Sequence, residues 1–254
     1  MTVSNYFDLS RFWLLLKLEL FRNLKGILMI FEITFGLLFF FGLLLNVVLE
    51  EKKLVYEHVD NYAFTLLIGG FIISSLAFKD LGSTLKRQSY LMVPVSTLEK
   101  FVCMWLLSSV GWVILYTLAF YLYSLIANAV GGILFSQVTF RSFDPTGTES
   151  LIMMRSYFVT QGIFLVGAAQ FKGYVFPKTL AVLILLALVF GALFYFILID
   201  VFMMDHICVV PENCELMQQS ALYGYWDMVK VFFWWVLPPL SWVLAFMGLK
   251  EQEV

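Results

Sequence analysis

The sequence predicts an all-α membrane protein, with six transmembrane helices preceded by an amphipathic helix lying in the membrane interface. Three observations predict it. Apolar residues make up 61% of the 254 and gather in long blocks. Most of these blocks approach or exceed the roughly 20 residues that cross a bilayer. Lys and Arg concentrate in alternate connections, as they do when a chain is threaded back and forth. Charged residues are only 13%, against about 25% in a soluble domain, and the mean hydropathy is +0.89.

The first element is 9–25, LSRFWLLLKLELFRNLK. On a helical wheel Arg11, Glu19, Arg22, Asn23 and Lys25 fall on one face, and Trp13, Leu16, Leu20 and Leu24 line the other. Such a helix lies in the interface plane with its Trp and Leu side in the acyl boundary. Lys17, on the apolar flank, snorkels. Gly26 then permits a bend into the membrane. The helix reads either as a plain anchor or as a surface for a cytoplasmic partner.

The spans follow at 26–49, 62–78, 101–128, 157–171, 179–202 and 228–249. The fourth is the weakest, short and broken by Thr160 and Gln161, and five spans result if it is only interfacial. The first run is too long for the 7–15 residue core of a cleavable signal. Glu32, about two turns into the first span, is an intramembrane charge and so a functional candidate by default. An ion pair with Lys25 or the interfacial helix is the structural alternative. Pro238 and Pro239 are expected to kink the last span.

With six spans, Arg11, Lys17, Arg22, Lys25, Lys79, Lys86, Arg87, Lys100, Lys172, Lys178 and Lys250 share one side of the membrane. Lys52, Lys53, Arg141, Arg155 and Lys230 take the other. The richer side is cytoplasmic by the positive-inside rule, which places both termini there. Cys208 and Cys214 then lie in the outer loop 205–227, where an oxidising compartment lets them close a disulfide. Two unpaired thiols are the alternative. A zinc site lacks ligands, because only His206 is near and four are wanted.

The connection 80–98 is the most informative. It is polar and basic, with Lys86, Arg87 and Tyr90 ahead of a stop at Pro94. Ser96-Thr97-Leu98-Glu99 then forms a capping box that opens the next helix. A helix, a stop and a strong restart make a stiff element suited to docking or to transmitting force. An ordinary capped loop is the plainer reading.

Chemistry is absent elsewhere. No G-x-x-x-x-G-K-[ST] phosphate loop, H-E-x-x-H or G-x-S-x-G string occurs. The two histidines, His58 and His206, stand apart in outer loops and read as solvated. No catalytic, cofactor or metal residues are expected, and a net charge of −2 without a basic stripe argues against nucleic acid.

Taken together the chain resembles the permease subunits of type 2 ABC exporters, particularly the short six-span kind common in Bacteroidota. The resemblance is carried by the amphipathic helix before the first span and by Tyr90-Leu91-Met92-Val93-Pro94-Val95-Ser96 with Glu99-Lys100. The latter is similar to that group's L-P-[VA]-S-x-x-E-K signature, with Val93 in place of the usual leucine. The Cys-containing outer loop and the ending Trp242 … Leu249-Lys250-Glu251-Gln252-Glu253-Val254 add to it.

The resemblance implies the type 2 exporter permease fold in a bacterial inner membrane. It implies a dimer of permeases, homo- or heteromeric, with two separate cytoplasmic ATPase subunits that bind ATP and Mg. It also implies coupling through Lys86, Arg87, Tyr90, Pro94, Ser96 and Glu99, a connecting helix bearing Arg11, Arg22 and Lys25, and an outer re-entrant hairpin at 205–227. An amphipathic, lipid-like or peptide cargo is expected. Two rivals stand beside it: a non-transporting scaffold for a motility or secretion machine, and an ion-coupled carrier or channel.

Overall fold

A computed structural model describes residues 7–45, 55–82, 87–88, 90, 92–134, 138–202 and 227–253. Lys86, Cys208, Cys214 and His206 lie outside the described residues, as does nearly all of the expected outer hairpin.

Six long helices carry the described chain. Helix α1 spans Leu9–Leu37 and runs on as a π-helical stretch, Leu38–Leu45. Helix α2 spans Val59–Ser75, α3 Thr97–Leu134, α4 Thr148–Gln170, α5 Val175–Phe202 and α6 Asp227–Gln252. All but α2, with 17 residues, are long and apolar enough to cross a membrane. This is a helical, multi-pass architecture by length and composition.

Two expectations about boundaries change. No helix end occurs at Gly26, so the amphipathic segment and the first apolar run form one continuous helix. A lone glycine costs a helix only about 1 kcal/mol, too little to break one with good formers on both sides. Helix α4 begins at Thr148, nine residues before the apolar run that announced it. It can afford polar residues because it is the central helix, packed by α2 on one flank and α6 on another.

Close approach explains that packing. A Cβ on Gly70 of α2 would overlap the Tyr157 ring, and one on Gly162 would overlap Ser241 Oγ of α6. Hydroxyls of these apolar helices turn inward, because lipid offers them no partner. Tyr62 Oη and Thr117 Oγ1 are 2.8 Å apart, and Tyr116 donates to Thr65 Oγ1. Trp112 Nε1 donates to the Leu66 carbonyl at 3.1 Å. A π-helical stretch, Leu107–Gly111, interrupts α3 beside Tyr157, whose hydroxyl donates to the Ser108 carbonyl at 2.5 Å.

A π-helical stretch, Phe232–Val236, lies just before Pro238 and Pro239, and both prolines sit in the first turn of the α-helical stretch Leu237–Glu253 that follows. At the far end of the bundle two short strands pair in parallel, β1 (Val55–Tyr56) and β2 (Thr139–Phe140). His58, expected to be solvated, is buried there, its Nε2 2.7 Å from Asn128 Oδ1. Burial holds its pKa below the ordinary histidine value, against the hydrogen bond to Asn128 Oδ1.

Helix α3 has 38 residues and is about 57 Å long, and the hydrocarbon layer is about 30 Å thick. Its ends, like the charged start of α1, therefore project beyond the apolar layer.

Candidate functional site

The projecting ends of α1 and α3 meet the turn Lys79–Gly82, residues 87–88, 90 and 92–95, and the end of α6. Most of the described residues that the sequence singled out gather there.

Glu99 is the centre of the first cluster. As predicted, Ser96 and Glu99 form a reciprocal capping box: Glu99 N–H donates to Ser96 Oγ at 3.2 Å, and Ser96 N–H donates to Glu99 Oε2 at 2.7 Å. The second carboxylate oxygen accepts the backbone N–H of Asp8 at 2.7 Å and the Arg11 guanidinium at 3.2 Å. Asp8 is itself the N-cap of α1, accepting from Ser10 N–H. One buried carboxylate thus fastens the starts of two helices. Burial alone would raise its pKa. The N–H groups of Asp8 and Ser96, with the Arg11 charge, outweigh that and hold it below the ordinary value.

A second cluster ties α1 to the end of α2. Arg22 bonds Glu19 at 2.6 Å and Asp80 at 2.8 Å. Asn23 Nδ2 donates to the Glu19 carbonyl at 2.9 Å, and Lys79 Nζ donates to Asn23 Oδ1 at 2.8 Å. Glu19 is only 3% exposed, and its burial, countered by Arg22, raises its pKa. Arg11, Glu19, Arg22 and Asn23 of the polar face of α1 therefore have partners within the chain, while Lys25 is exposed. Trp13, Leu14, Leu18 and Phe21 of α1 are exposed.

A third set of contacts anchors the loop. Arg87 donates to the main-chain carbonyl of Gln252, whose own amide donates to the Ala169 carbonyl at 2.5 Å. Tyr90 is buried with the Lys100 ammonium over its ring, 5.1 Å from the centroid. Val93 and Val95 pack on Phe12, Leu15 and Cys103. Between these anchors Pro94 is exposed, and Met92 is 80% exposed.

Arg87, Tyr90, Pro94, Ser96, Glu99, Arg11 and Arg22 are thus brought to one end of the bundle, while Lys25 is exposed beside it. Glu32 is exposed on α1 and forms no ion pair among the described residues, so the pairing with Lys25 is not made. Sequence reasoning missed Asp8 and Asp80, and it named Asn23 and Lys79 only for helix face and charge, not as partners in the cluster. Asp8 alone carried a signal, an N-cap residue two positions before Ser10.

Among the described residues no group of three His, Cys, Asp or Glu could hold a metal ion. Family models, curated proteins and solved structures yield no match to this chain.

Proposed function

We propose that the chain is the membrane-spanning permease subunit of an ATP-driven ABC exporter, working as a dimer in a bacterial inner membrane with both termini cytoplasmic. A separate cytoplasmic ATPase subunit binds and hydrolyses ATP-Mg, and the cargo is amphipathic. One observation carries the reading. Met92 and Pro94 are exposed apolar side chains, flanked on one side by Arg87, bonded to the end of α6, and on the other by Ser96 and Glu99, bonded at the starts of α3 and α1.

A segment fastened to three long helices passes a push to all of them. An exposed Met beside a fixed Pro is adaptable apolar surface that a partner can cover. Because Arg11 and Arg22 are used within the chain, the partner engages that segment and the exposed Lys25, not those guanidiniums.

The test is co-purification from native membranes. The wild-type chain should bring down an ATPase subunit, and Met92→Asp should lose it while the thermal transition of the isolated chain stays unchanged. An unchanged ATPase yield with Met92→Asp, or none with the wild type, would refute the proposal.

A further inference from the structure

The apolar run 26–45 of α1 contains a single charged side chain, Glu32, six residues and about 9 Å beyond Gly26. Phe31 and Phe35 fix which way it faces. Their rings pack on Trp112 and Tyr116 of α3, with centroids 5.7 and 6.0 Å apart. Met29, Ile33 and Phe40, half a turn round the helix, are exposed, and so are Glu32 and Gly36 beside them.

Glu32 has no hydrogen bond or ion pair among the described residues. Its short stem keeps it at that depth, where Lys or Arg would reach back to the headgroups. Hydrocarbon supplies no partner, so an ionisable group on a spanning helix faces protein or water. Gly36 lies one turn on, and a Cβ there would meet nothing within 4 Å. Residues four apart share a helix face, so the carboxyl group and the notch lie side by side.

We propose that two copies of this chain meet on the Glu32–Gly36 face, α1 against α1 about a two-fold axis normal to the membrane. The two Glu32 carboxyl groups are bonded to each other through one shared proton. A second copy is the occupant because a protonated carboxyl group is donor and acceptor at once and complements itself. A two-fold axis also brings Glu32 to Glu32 at one depth. Two carboxylates in one site share a proton because both cannot stay ionised there. Gly36 lets the backbones approach, as small residues do where membrane helices cross. The inference rests on the dimer proposed above and names its face. Neither the ATPase nor the cargo enters it.

Single-molecule photobleaching of the full chain, labelled at its C-terminus and diluted in phosphatidylcholine vesicles, counts the copies per complex. The wild type should be dimeric. Glu32→Leu should weaken association about fivefold, the worth of one hydrogen bond between membrane helices. Glu32→Gln, whose amide also donates and accepts, should keep it. Gly36→Leu should weaken association while the thermal transition of the monomer in detergent stays unchanged, because the added atoms meet open space. Met29→Cys, with Cys208 and Cys214 replaced by Ser, should cross-link two copies on mild oxidation, since a disulfide needs Cα atoms within about 7 Å.

Monomers throughout, or an unchanged or tighter dimer in Glu32→Leu, overturns the proposal. Equal loss in Glu32→Gln would show that an ionised carboxylate is required and overturns the shared proton. A dimer without the Met29→Cys cross-link puts the contact on another face, which overturns the inference and leaves the exporter reading intact. Cross-linking to a different polypeptide in native membranes gives the face to another helix and overturns it as well.

Discussion

The carboxylate of Glu99 accepts the backbone N–H of Asp8 at 2.7 Å, joining residues 91 apart in the chain. A capping box ordinarily satisfies the start of its own helix. Here the Glu has two oxygens to spend, one on Ser96 within its helix and the other on the start of α1, with Arg11 supplying the countercharge. The clamp ties the first and third long helices together at their charged ends.

Replacing Glu99 with Ala removes three hydrogen bonds and leaves the Asp8 N–H and the Arg11 guanidinium without their acceptor. Charged hydrogen bonds contribute about 1.5–3 kcal/mol each, and Arg11 keeps some access to water. A net loss of about 2–3 kcal/mol is expected, and Glu99→Gln, which keeps one acceptor oxygen, should lose about half. Denaturant unfolding in detergent followed by tryptophan fluorescence reads the difference.

The same clamp predicts a pH dependence of known sign. Glu99 titrates below its ordinary value when folded, so its contribution is present above the unfolded carboxylate pKa of about 4.3. It is lost as pH falls through the lower folded value. The stability gap between wild type and Glu99→Gln should therefore be constant at neutral pH and close on acidification. A gap that widens in acid would contradict the assigned direction.

How much of this was legible follows from which forces act locally. The capping box was readable because Ser96 and Glu99 are three residues apart and their bonds are local. The apolar runs announced the helices because lipid imposes one requirement on them all. Helix α4 was underestimated because its neighbours are protein: Gln161 and Gly162 suit a central helix and weaken a lipid-based reading. The local partners of Arg11 and Arg22, Asp8 and Glu19, lie three residues away, but the distant ones were unreadable, since nothing local to α1 indicates that Glu99 and Asp80 fold back onto it. His58 looked solvated because Asn128, its partner, lies 70 residues away.

Glycine contacts separate packing from flexibility. Gly70→Ala must displace the Tyr157 ring and crowd Trp112 Nε1, which a Cβ would approach to 2.7 Å. Overpacking of this kind costs about 1–3 kcal/mol. Gly36→Ala on α1 meets nothing within 4 Å and should be neutral or stabilising by up to about 1 kcal/mol. Paired unfolding curves for the two variants should move in opposite directions.

Gln161 gives the sharpest test of the central helix. Its side chain is wholly buried, and neither its Oε1 nor its Nε2 finds a hydrogen-bond partner among the described residues. A buried amide without partners costs about 1–3 kcal/mol by protein mutational measures. Methionine has a similar shape and no such demand, so Gln161→Met should raise stability by about 1 kcal/mol. Tyr157→Phe, one turn earlier, removes a hydroxyl that donates to the Ser108 carbonyl at 2.5 Å and should lose about 0.6 kcal/mol, the average for hydrogen bonds between membrane helices. Thermal unfolding of the two variants therefore has to diverge in sign. Destabilisation by Gln161→Met would contradict the cost assigned to the unpartnered amide.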